Sequence, residues 1–339
     1  KFYASETGGS LSTRNSYKFP VVFDTLHTKR GTSVKTELYA DGQPGNYENT
    51  NVPWGYSPYK EFASQDYNDF VYGEFVWTGY DYLGEPSPYH TAKSRSSYFA
   101  PVDIVGLEKD KFYLYKSEWN EDAEVLHIFP YWSLPEMKGK KIPVVCYTTH
   151  DKAELFVNGK SYGIKTKEKP AVPEFLAKDI KKEASGGTTM AQLKAYAVVW
   201  EDVIYEPGEA KVVAYDKNGR KVDETIRVTP SKPHHIRIKN EVQAVNQGEV
   251  AVYVVSVVDE NGNLNPHYNK NMNIEVSGAA QFLASGNGDP TNVQNLSKPI
   301  RAFFNGQAVI YVQSNSKGHI VLKTTSGELE SINTSIIVN

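Results

Sequence analysis

The stretch FVYGEFVWTGYDYLGEP, residues 70–86, joins a strand pattern to a group of glycines, tyrosines and carboxylates. Its first half is aromatic and β-branched, which predicts a buried strand over residues 70–77. Its second half is rich in residues that end strands and form loops. Because catalytic side chains project from the carboxyl ends of buried strands in parallel β/α architectures, we expect a functional site at the end of this strand.

Trp77, Asp81 and Glu85 are the candidate binding residues of this stretch. An indole face packs against the C–H groups of a sugar ring, and carboxylates bind hydroxyl groups or act in acid–base catalysis. The same residues also suit structural roles, since a tryptophan can lie in a core and carboxylates can cap turns. The residue types alone leave both interpretations open.

Length and composition indicate two or three globular domains. The chain has 339 residues, of which 40% are hydrophobic and 23% are charged, which are ordinary globular values. Its net charge of −3 argues against nucleic acid or an anionic membrane surface as a partner. The 23 Tyr, 14 Phe and 5 Trp give a composition that is common among carbohydrate-active β proteins.

Several other classes are excluded by the sequence. Cys146 is the single cysteine, so no intrachain disulfide is possible, and its strand setting indicates a buried structural residue. No apolar run is long enough to span a bilayer. The segment DENGN, residues 259–263, predicts a turn, because it lacks the acidic spacing and the flanking helices of an EF-hand. We therefore predict no metal site, no cofactor and no membrane span.

A second strand pattern opens the chain, where KFYASETGG, residues 1–9, runs directly into the carboxylate of Glu6. No helix or cap pattern precedes this strand, so we expect the chain to be the C-terminal part of a longer polypeptide. The small residues after Glu6 leave room for a sugar to approach. A long irregular connection then follows over residues 24–58.

Two helices are predicted next, and after them the residue pattern changes. Helices are predicted over residues 57–66 and 109–119, the second with Phe112, Tyr115 and Trp119 on one face. After about residue 122 the pattern changes to short strands separated by turns, which is typical of β-sandwiches. The polar segment TPSKP, residues 229–233, indicates a hinge within this β region.

The segments GEFVWTGYDYLGEPSPY (73–89) and SRSSYFAPVDIVGLEKDKFYLYKSEW (94–119) resemble the end of the catalytic barrel of glycoside hydrolase family 2. The likeness is to the β-galactosidase type found in Bacteroidetes. HIFPYWS (127–133) resembles the sandwich that follows this barrel, and SGNGDP (285–290) resembles the terminal immunoglobulin-like domain. The resemblance thus covers the whole chain.

The fold implied by this resemblance is mixed: the end of a (β/α)8 TIM barrel followed by two all-β immunoglobulin-like sandwich domains. The expected boundaries are 1–122 for the barrel part, 123–230 for the first sandwich and 231–339 for the second, invasin- or adhesin-like sandwich. We expect the barrel part to contribute two strands that pack on elements outside this sequence. Tyr131, Trp132 and the Asn158 and Gly159 hairpin are predicted to be structural.

Glu6 is the candidate catalytic residue by the same resemblance. The family nucleophile is a Glu at the end of the seventh barrel strand, in a Ser-Glu-Thr setting followed by Ser-Thr-Arg-Gly, and SET (5–7) and STR (12–14) match it. Asn15 replaces the usual Gly, which leaves the loop conformation open. The family acid/base Glu lies in an upstream Asn-Glu motif that is absent before Glu6. The resemblance therefore places it in the N-terminal remainder of the same enzyme, and this chain alone should not turn over substrate.

The sugar-binding residues also follow from the resemblance. Trp77 corresponds to the tryptophan that lines the −1 sugar site at the end of the eighth strand. Trp54 and Tyr47, in the long connection, could stack on a second sugar ring or simply pack the loop. Asp81 and Glu85 are assigned to hydrogen bonding, either with the substrate or within the fold.

The expected substrate is a terminal β-galactoside. A family 2 glucuronidase would be expected to show an Asn-x-Lys pair near residues 94–99, and its absence favours a neutral hexopyranoside. The loop TELYADGQP, residues 36–44, departs from ordinary members, so a modified galactan stays open. The resemblance further implies a periplasmic or extracellular location and is compatible with a homo-oligomer.

A non-catalytic carbohydrate-binding or adhesin-like protein is the alternative interpretation. The last two predicted domains alone would support it. The segments around Glu6 and Trp77 argue against it, because they have no role in a sandwich.

Overall fold

The computed structural model divides into two compact units, Lys1–Val228 and Thr229–Asn339. The residues it describes are 2–21, 41–52, 55–84, 94–168, 189–240, 242–331 and 334–339.

Three helices and nine strands lie in the described part of the first unit. In chain order they are β1 Phe2–Thr7, α1 Pro58–Asp66, β2 Val71–Val76, α2 Asp110–Trp119, β3 Leu126–Phe129, β4 Lys141–Thr148, β5 Lys152–Val157, β6 Lys160–Lys165, α3 Met190–Tyr196, β7 Val198–Ile204, β8 Glu209–Tyr215 and β9 Lys221–Val228. A 3-10 turn, Pro135–Met137, lies between β3 and β4.

Strands β1 and β2 form a two-stranded parallel sheet, in which Ala4 pairs with Glu74 and Thr7 with Val76. Its large side chains are more than half exposed, in contrast to the predicted buried strands. These are Phe2, Tyr3, Phe70, Tyr72 and Phe75. The physical reason is that no described element covers them, whereas parallel sheets are ordinarily covered on both faces.

A β-sandwich follows, with the sheets β3-β4-β7 and β6-β5-β8-β9. Its core includes Trp132, Ile142, Leu155 and Val203. The predicted Asn-Gly hairpin joins β5 to β6, with φ of 48° at Asn158 and 81° at Gly159. Both residues thus take the left-handed conformation that a two-residue hairpin loop requires.

The segment before residue 122 and the sandwich after it lie in one compact unit, Lys1–Val228. Strand β4 alternates its side chains between two cores: Val144 and Cys146 face the sandwich interior, and Val145 and Tyr147 face the opposite side. On that opposite side they pack in one cluster with residues of α1 and α2. Because both faces of β4 are covered, the preceding segment and the sandwich share a core.

The second unit is a sandwich of two sheets, β10-β12-β16-β14 and β11-β19-β17-β13-β15, with β18 paired to β17. Its strands are β10 His235–Asn240, β11 Ala244–Val245, β12 Val250–Val258, β13 Asn271–Gly278, β14 Ala280–Gly286, β15 Ile300–Ala302, β16 Gln307–Ser314, β17 Gly318–Ser326, β18 Leu329–Glu330 and β19 Thr334–Val338. The Asp259 carboxylate accepts bonds from the backbone N–H groups of Asn261 and Asn263, which holds the predicted turn.

Candidate functional site

Glu6 and Trp77 lie at the same edge of the parallel β1–β2 sheet. The backbone N–H of Trp77 donates to the carbonyl of Thr7 at 2.7 Å, so Trp77 lies directly beside the end of β1. Glu6 is the residue before Thr7, and its side chain is exposed. The two predicted site residues therefore project from neighbouring strand ends, as catalytic groups do in parallel β/α proteins.

The Trp77 side chain is hydrogen-bonded at one atom and partly exposed. Its indole Nε1–H donates to the Tyr82 hydroxyl at 2.9 Å, and the two rings meet edge to face. The residue remains 45% exposed, which leaves indole surface available to a ligand. The Trp77–Thr78 peptide bond is cis.

The turn after Glu6 depends on two glycines. Gly8 has φ of +92°, a left-handed conformation that disfavours other residues. A Cβ atom on Gly9 would lie 2.4 Å from the Cα of Gly55, so only glycine permits this approach of two loops. These small residues therefore allow the backbone to pack behind Glu6.

Glu61, a partly buried carboxylate near that of Glu74, supports this turn from the other side. Glu61, on α1, accepts a hydrogen bond from the Gly8 N–H at 2.9 Å. Burial, and then the Glu74 charge, raises the pKa of Glu61 well above its usual value, although the Gly8 bond and Lys111 oppose this. Burial also raises the pKa of Glu74, which Thr7 and Gln65 partly offset. No sequence pattern marked Glu61, because its carboxylate is placed by a contact with Gly8, 53 positions earlier.

Replacement of Glu61 by glutamine is expected to stabilise the chain at neutral pH. Because the folded pKa lies above the usual 4.5, the folded chain retains a proton that the unfolded chain has released. The stabilising contribution of Glu61 is thus complete below about pH 4.5 and is lost as pH rises through the folded pKa. A glutamine side chain would keep the Gly8 bond without the charge. We expect a gain on the order of 1 kcal/mol in the free energy of unfolding at pH 8.

Urea unfolding of both proteins at pH 4.5 and pH 8 measures this difference. The gain should shrink at the lower pH. Glu275→Gln, on an exposed position of β13, is the matched control and should change nothing at either pH. An equal loss of stability at both pH values for Glu61→Gln would contradict the assignment.

Two predicted sugar-binding residues, Tyr47 and Asp81, are buried in the described part of the chain. Tyr47 is 1% exposed and its hydroxyl donates to the Pro143 carbonyl at 2.8 Å, so no ring face is open to a sugar. Asp81 is buried and binds the Lys109 ammonium at 2.6 Å and the Ala100 N–H at 3.1 Å. The burial of both loop residues depends on contacts with distant segments, which the sequence alone does not show. Trp54 and Glu85 lie outside the described residues.

The residues predicted to be structural in the first sandwich are held within it. Trp132 is buried and its Nε1–H donates to the Glu206 carbonyl at 2.9 Å. The Tyr131 ring packs edge-on against Tyr17, with the ring centroids 4.9 Å apart.

Two negative findings apply to the described residues only. Among them, no three His, Cys, Asp or Glu side chains are grouped so as to hold a metal ion. No helix in the described ranges has the length and apolar character needed to cross a membrane.

Two family models match parts of this chain. Residues 139–223 match a domain of unknown function (DUF4982). Residues 235–335 match the glycoside hydrolase family 2 C-terminal domain 5.

Known proteins match most or nearly all of the chain with part of their own length. Beta-galactosidase BoGH2A from Bacteroides ovatus is 34% identical over 330 residues, which are 96% of this chain and 35% of that protein. A putative beta-glucuronidase from Formosa agariphila is 29% identical over 248 residues, which are 71% of this chain and 22% of that protein. A crystal structure of a beta-glycosidase from Bacteroides vulgatus superposes with a TM-score of 0.78 at 26% identity, over 99% of this chain and 41% of that chain. The chain thus spans about a third of the length of the first curated relative.

Proposed function

We infer that this chain is related to glycoside hydrolase family 2 and resembles the C-terminal portion of a Bacteroides-type β-galactosidase. From this premise we propose that it carries the nucleophile of a retaining exo-β-galactosidase. Glu6 is the nucleophile, and Trp77 forms one wall of the −1 sugar site. The observation that carries the proposal is their placement on adjacent ends of parallel strands, joined by the 2.7 Å bond from Trp77 to Thr7.

The chemistry follows from an exposed carboxylate beside an open indole. Glu6 attacks the anomeric carbon and forms a covalent glycosyl-enzyme, while the bond from that carbon to the leaving oxygen breaks. A second carboxyl group, about 5–5.5 Å away in retaining enzymes, gives its proton to the leaving oxygen and then takes one from the water that releases the sugar. The proposal places this second group in the N-terminal remainder of the enzyme.

The barrel that this mechanism requires is completed by the rest of the polypeptide. Two parallel strands cannot form a closed barrel, and the β1–β2 sheet exposes large aromatic side chains within this chain. The first curated relative is about three times as long as the matched segment, which leaves enough chain for the other six strands. We infer that these exposed side chains pack against that chain.

Galactosides are the proposed substrates, although relatives named β-glucuronidase also match. The relative named β-galactosidase shares 34% identity over nearly all of this chain, against 29% over 71% of it for the first named β-glucuronidase. The absence of an Asn-x-Lys pair near residues 94–99 points the same way. By analogy with the family, we place the enzyme in the periplasm or outside the cell.

Assays of the complete polypeptide with aryl β-galactosides, β-glucosides and β-glucuronides test the proposal. We expect hydrolysis of the galactoside above the others, and none by this chain alone, since general acid catalysis contributes roughly 10²–10⁴-fold. Preference for the glucuronide would overturn the proposed substrate. Glycan binding without hydrolysis by the complete polypeptide, together with a coding region that lacks an upstream Asn-Glu motif, would favour the carbohydrate-binding alternative.

A further inference from the structure

Two buried lysines at the start of α2 reach into the loops behind the proposed site. Lys109 and Lys111 are the last residue before the helix and its second residue, and each is at most 2% exposed. Lysine is almost never fully buried unless it is paired, so these two positions require an explanation. Their ammonium groups contact two segments of the chain, one that follows β1 and one that follows β2.

Lys111 joins these two segments directly. Its ammonium group donates to the Ser10 carbonyl at 3.2 Å, in the segment that follows Glu6. It also donates to the Phe99 carbonyl at 3.0 Å, in the segment that follows Trp77. Its charge is balanced by the Glu48 carboxylate at 2.9 Å, which also accepts a bond from the Ser10 hydroxyl at 2.6 Å.

Lys109 repeats the arrangement two positions later on the first segment and one position earlier on the second. It donates to the Ser12 carbonyl at 2.9 Å and to the Tyr98 carbonyl at 3.1 Å, and it pairs with Asp81 at 2.6 Å. Each lysine therefore binds one carbonyl on each segment and one carboxylate. The repetition indicates that joining the two segments is the shared role of both side chains.

These bonds are costly to replace. Each ammonium group is removed from water on folding. Hydrogen bonds to the surrounding carbonyl, hydroxyl and carboxylate oxygens replace its lost hydration. Burial lowers the pKa of Lys111, while Glu48 opposes the shift. A hydrophobic residue of similar length would fill the space but would leave the Ser10 and Phe99 carbonyls unjoined.

We propose that Lys111 is a positioning residue of the active site: its ammonium group fixes the segment after Glu6 to the segment after Trp77. This inference rests on the proposed function of those two residues. It predicts that loss of this bridge, the bonds from Lys111 to the two segments, misplaces the Glu6 nucleophile relative to the Trp77 indole. A misplacement of about 1 Å can lower turnover on the order of 10²-fold.

The test uses the complete enzyme with three variants of the bridge. Lys111→Met leaves Glu48 buried without its partner, so we expect the unfolding temperature to fall by about 10 °C and kcat to fall about 10²-fold. Lys111→Met with Glu48→Gln removes both charges, so stability should return to within about 3 °C of wild type while kcat stays low. Glu48→Gln alone keeps the lysine bridge and should keep kcat within about threefold. KM should stay within about threefold in all three, since the bridge contacts no substrate.

A matched control separates positioning from stability. Arg301, in the second unit, is also buried and holds its surroundings through the Asn295 carbonyl at 2.9 Å and the Ser285 hydroxyl at 3.2 Å. Arg301→Met should lower the unfolding temperature without changing kcat per folded molecule, which is counted by titration with a covalent inhibitor.

Two results would overturn the inference alone while the wild type remains active. One is recovery of kcat together with stability in the double variant, which would make the role of Lys111 merely structural. The other is an equal loss of kcat in Glu48→Gln and Lys111→Met, which would assign the effect to charge instead of the bridge. A wild-type enzyme that hydrolyses no glycoside would overturn the proposed function, and the inference with it.

Discussion

Glu6→Gln is expected to lower kcat of the complete enzyme by on the order of 10⁴–10⁶-fold, the range found when a catalytic nucleophile is removed. The amide cannot form the glycosyl-enzyme, because it lacks the negative oxygen that attacks the anomeric carbon. The side chain is exposed in this chain and supports no core packing, so the unfolding temperature should stay within about 2 °C of wild type. Steady-state kinetics and thermal unfolding of the purified variant measure both quantities.

Glu275→Gln again supplies the matched control, since it makes the same chemical change at an exposed strand position. It should leave kcat unchanged. The assignment of Glu6 would be contradicted by a variant that retains more than about a tenth of wild-type kcat, since no nucleophile loss is so mild.

Trp132→Ala is expected to destabilise the first unit by about 3–5 kcal/mol. The indole is 1% exposed, packs against the Tyr205 ring at 5.0 Å and donates to the Glu206 carbonyl. Its removal leaves a large cavity and an unpaired carbonyl group. Urea unfolding, monitored by tryptophan fluorescence and by circular dichroism, measures the loss of unfolding free energy.

Trp119→Ala is the comparison for this experiment, because Trp119 is 48% exposed and should cost far less. Glycan titration of the Trp132→Ala protein should match the wild type. A change in glycan affinity with little loss of stability would show that Trp132 contacts sugar, contrary to the structural role.

Local patterns predicted the regular elements well. The predicted helices over 57–66 and 109–119 correspond to Pro58–Asp66 and Asp110–Trp119. The Asn-Gly hairpin and the turn at Asp259 were also predicted from residue types with a known local conformation. These features depend on neighbours within a few residues, which is why the sequence specifies them.

Features set by distant contacts were predicted poorly. Phe112, Tyr115 and Trp119 were predicted to share one face of α2, yet the residues that the helix buries include Lys111, Leu114 and Tyr115. A lysine is expected to be exposed from sequence alone, and the carboxylate that pairs with the buried Lys111 belongs to Glu48, 63 positions earlier. The burial of Tyr47 is a similar case, since its hydroxyl donates to the carbonyl of Pro143, 96 positions later. The exposed β1–β2 sheet shows a related limit: a strand pattern predicts that a face is apolar, but it does not say which chain covers it.

Covalent trapping of the complete enzyme with a 2-deoxy-2-fluoro β-galactoside, followed by peptide mapping, tests the central claim most directly. The fluorine slows release of the glycosyl-enzyme, so the attacked residue stays labelled. The account predicts one fluorogalactosyl group per molecule, on the peptide that contains Glu6, and none in Glu6→Gln. A label on another carboxylate of the wild-type enzyme, or turnover of the galactoside with inversion and no covalent adduct, would contradict it.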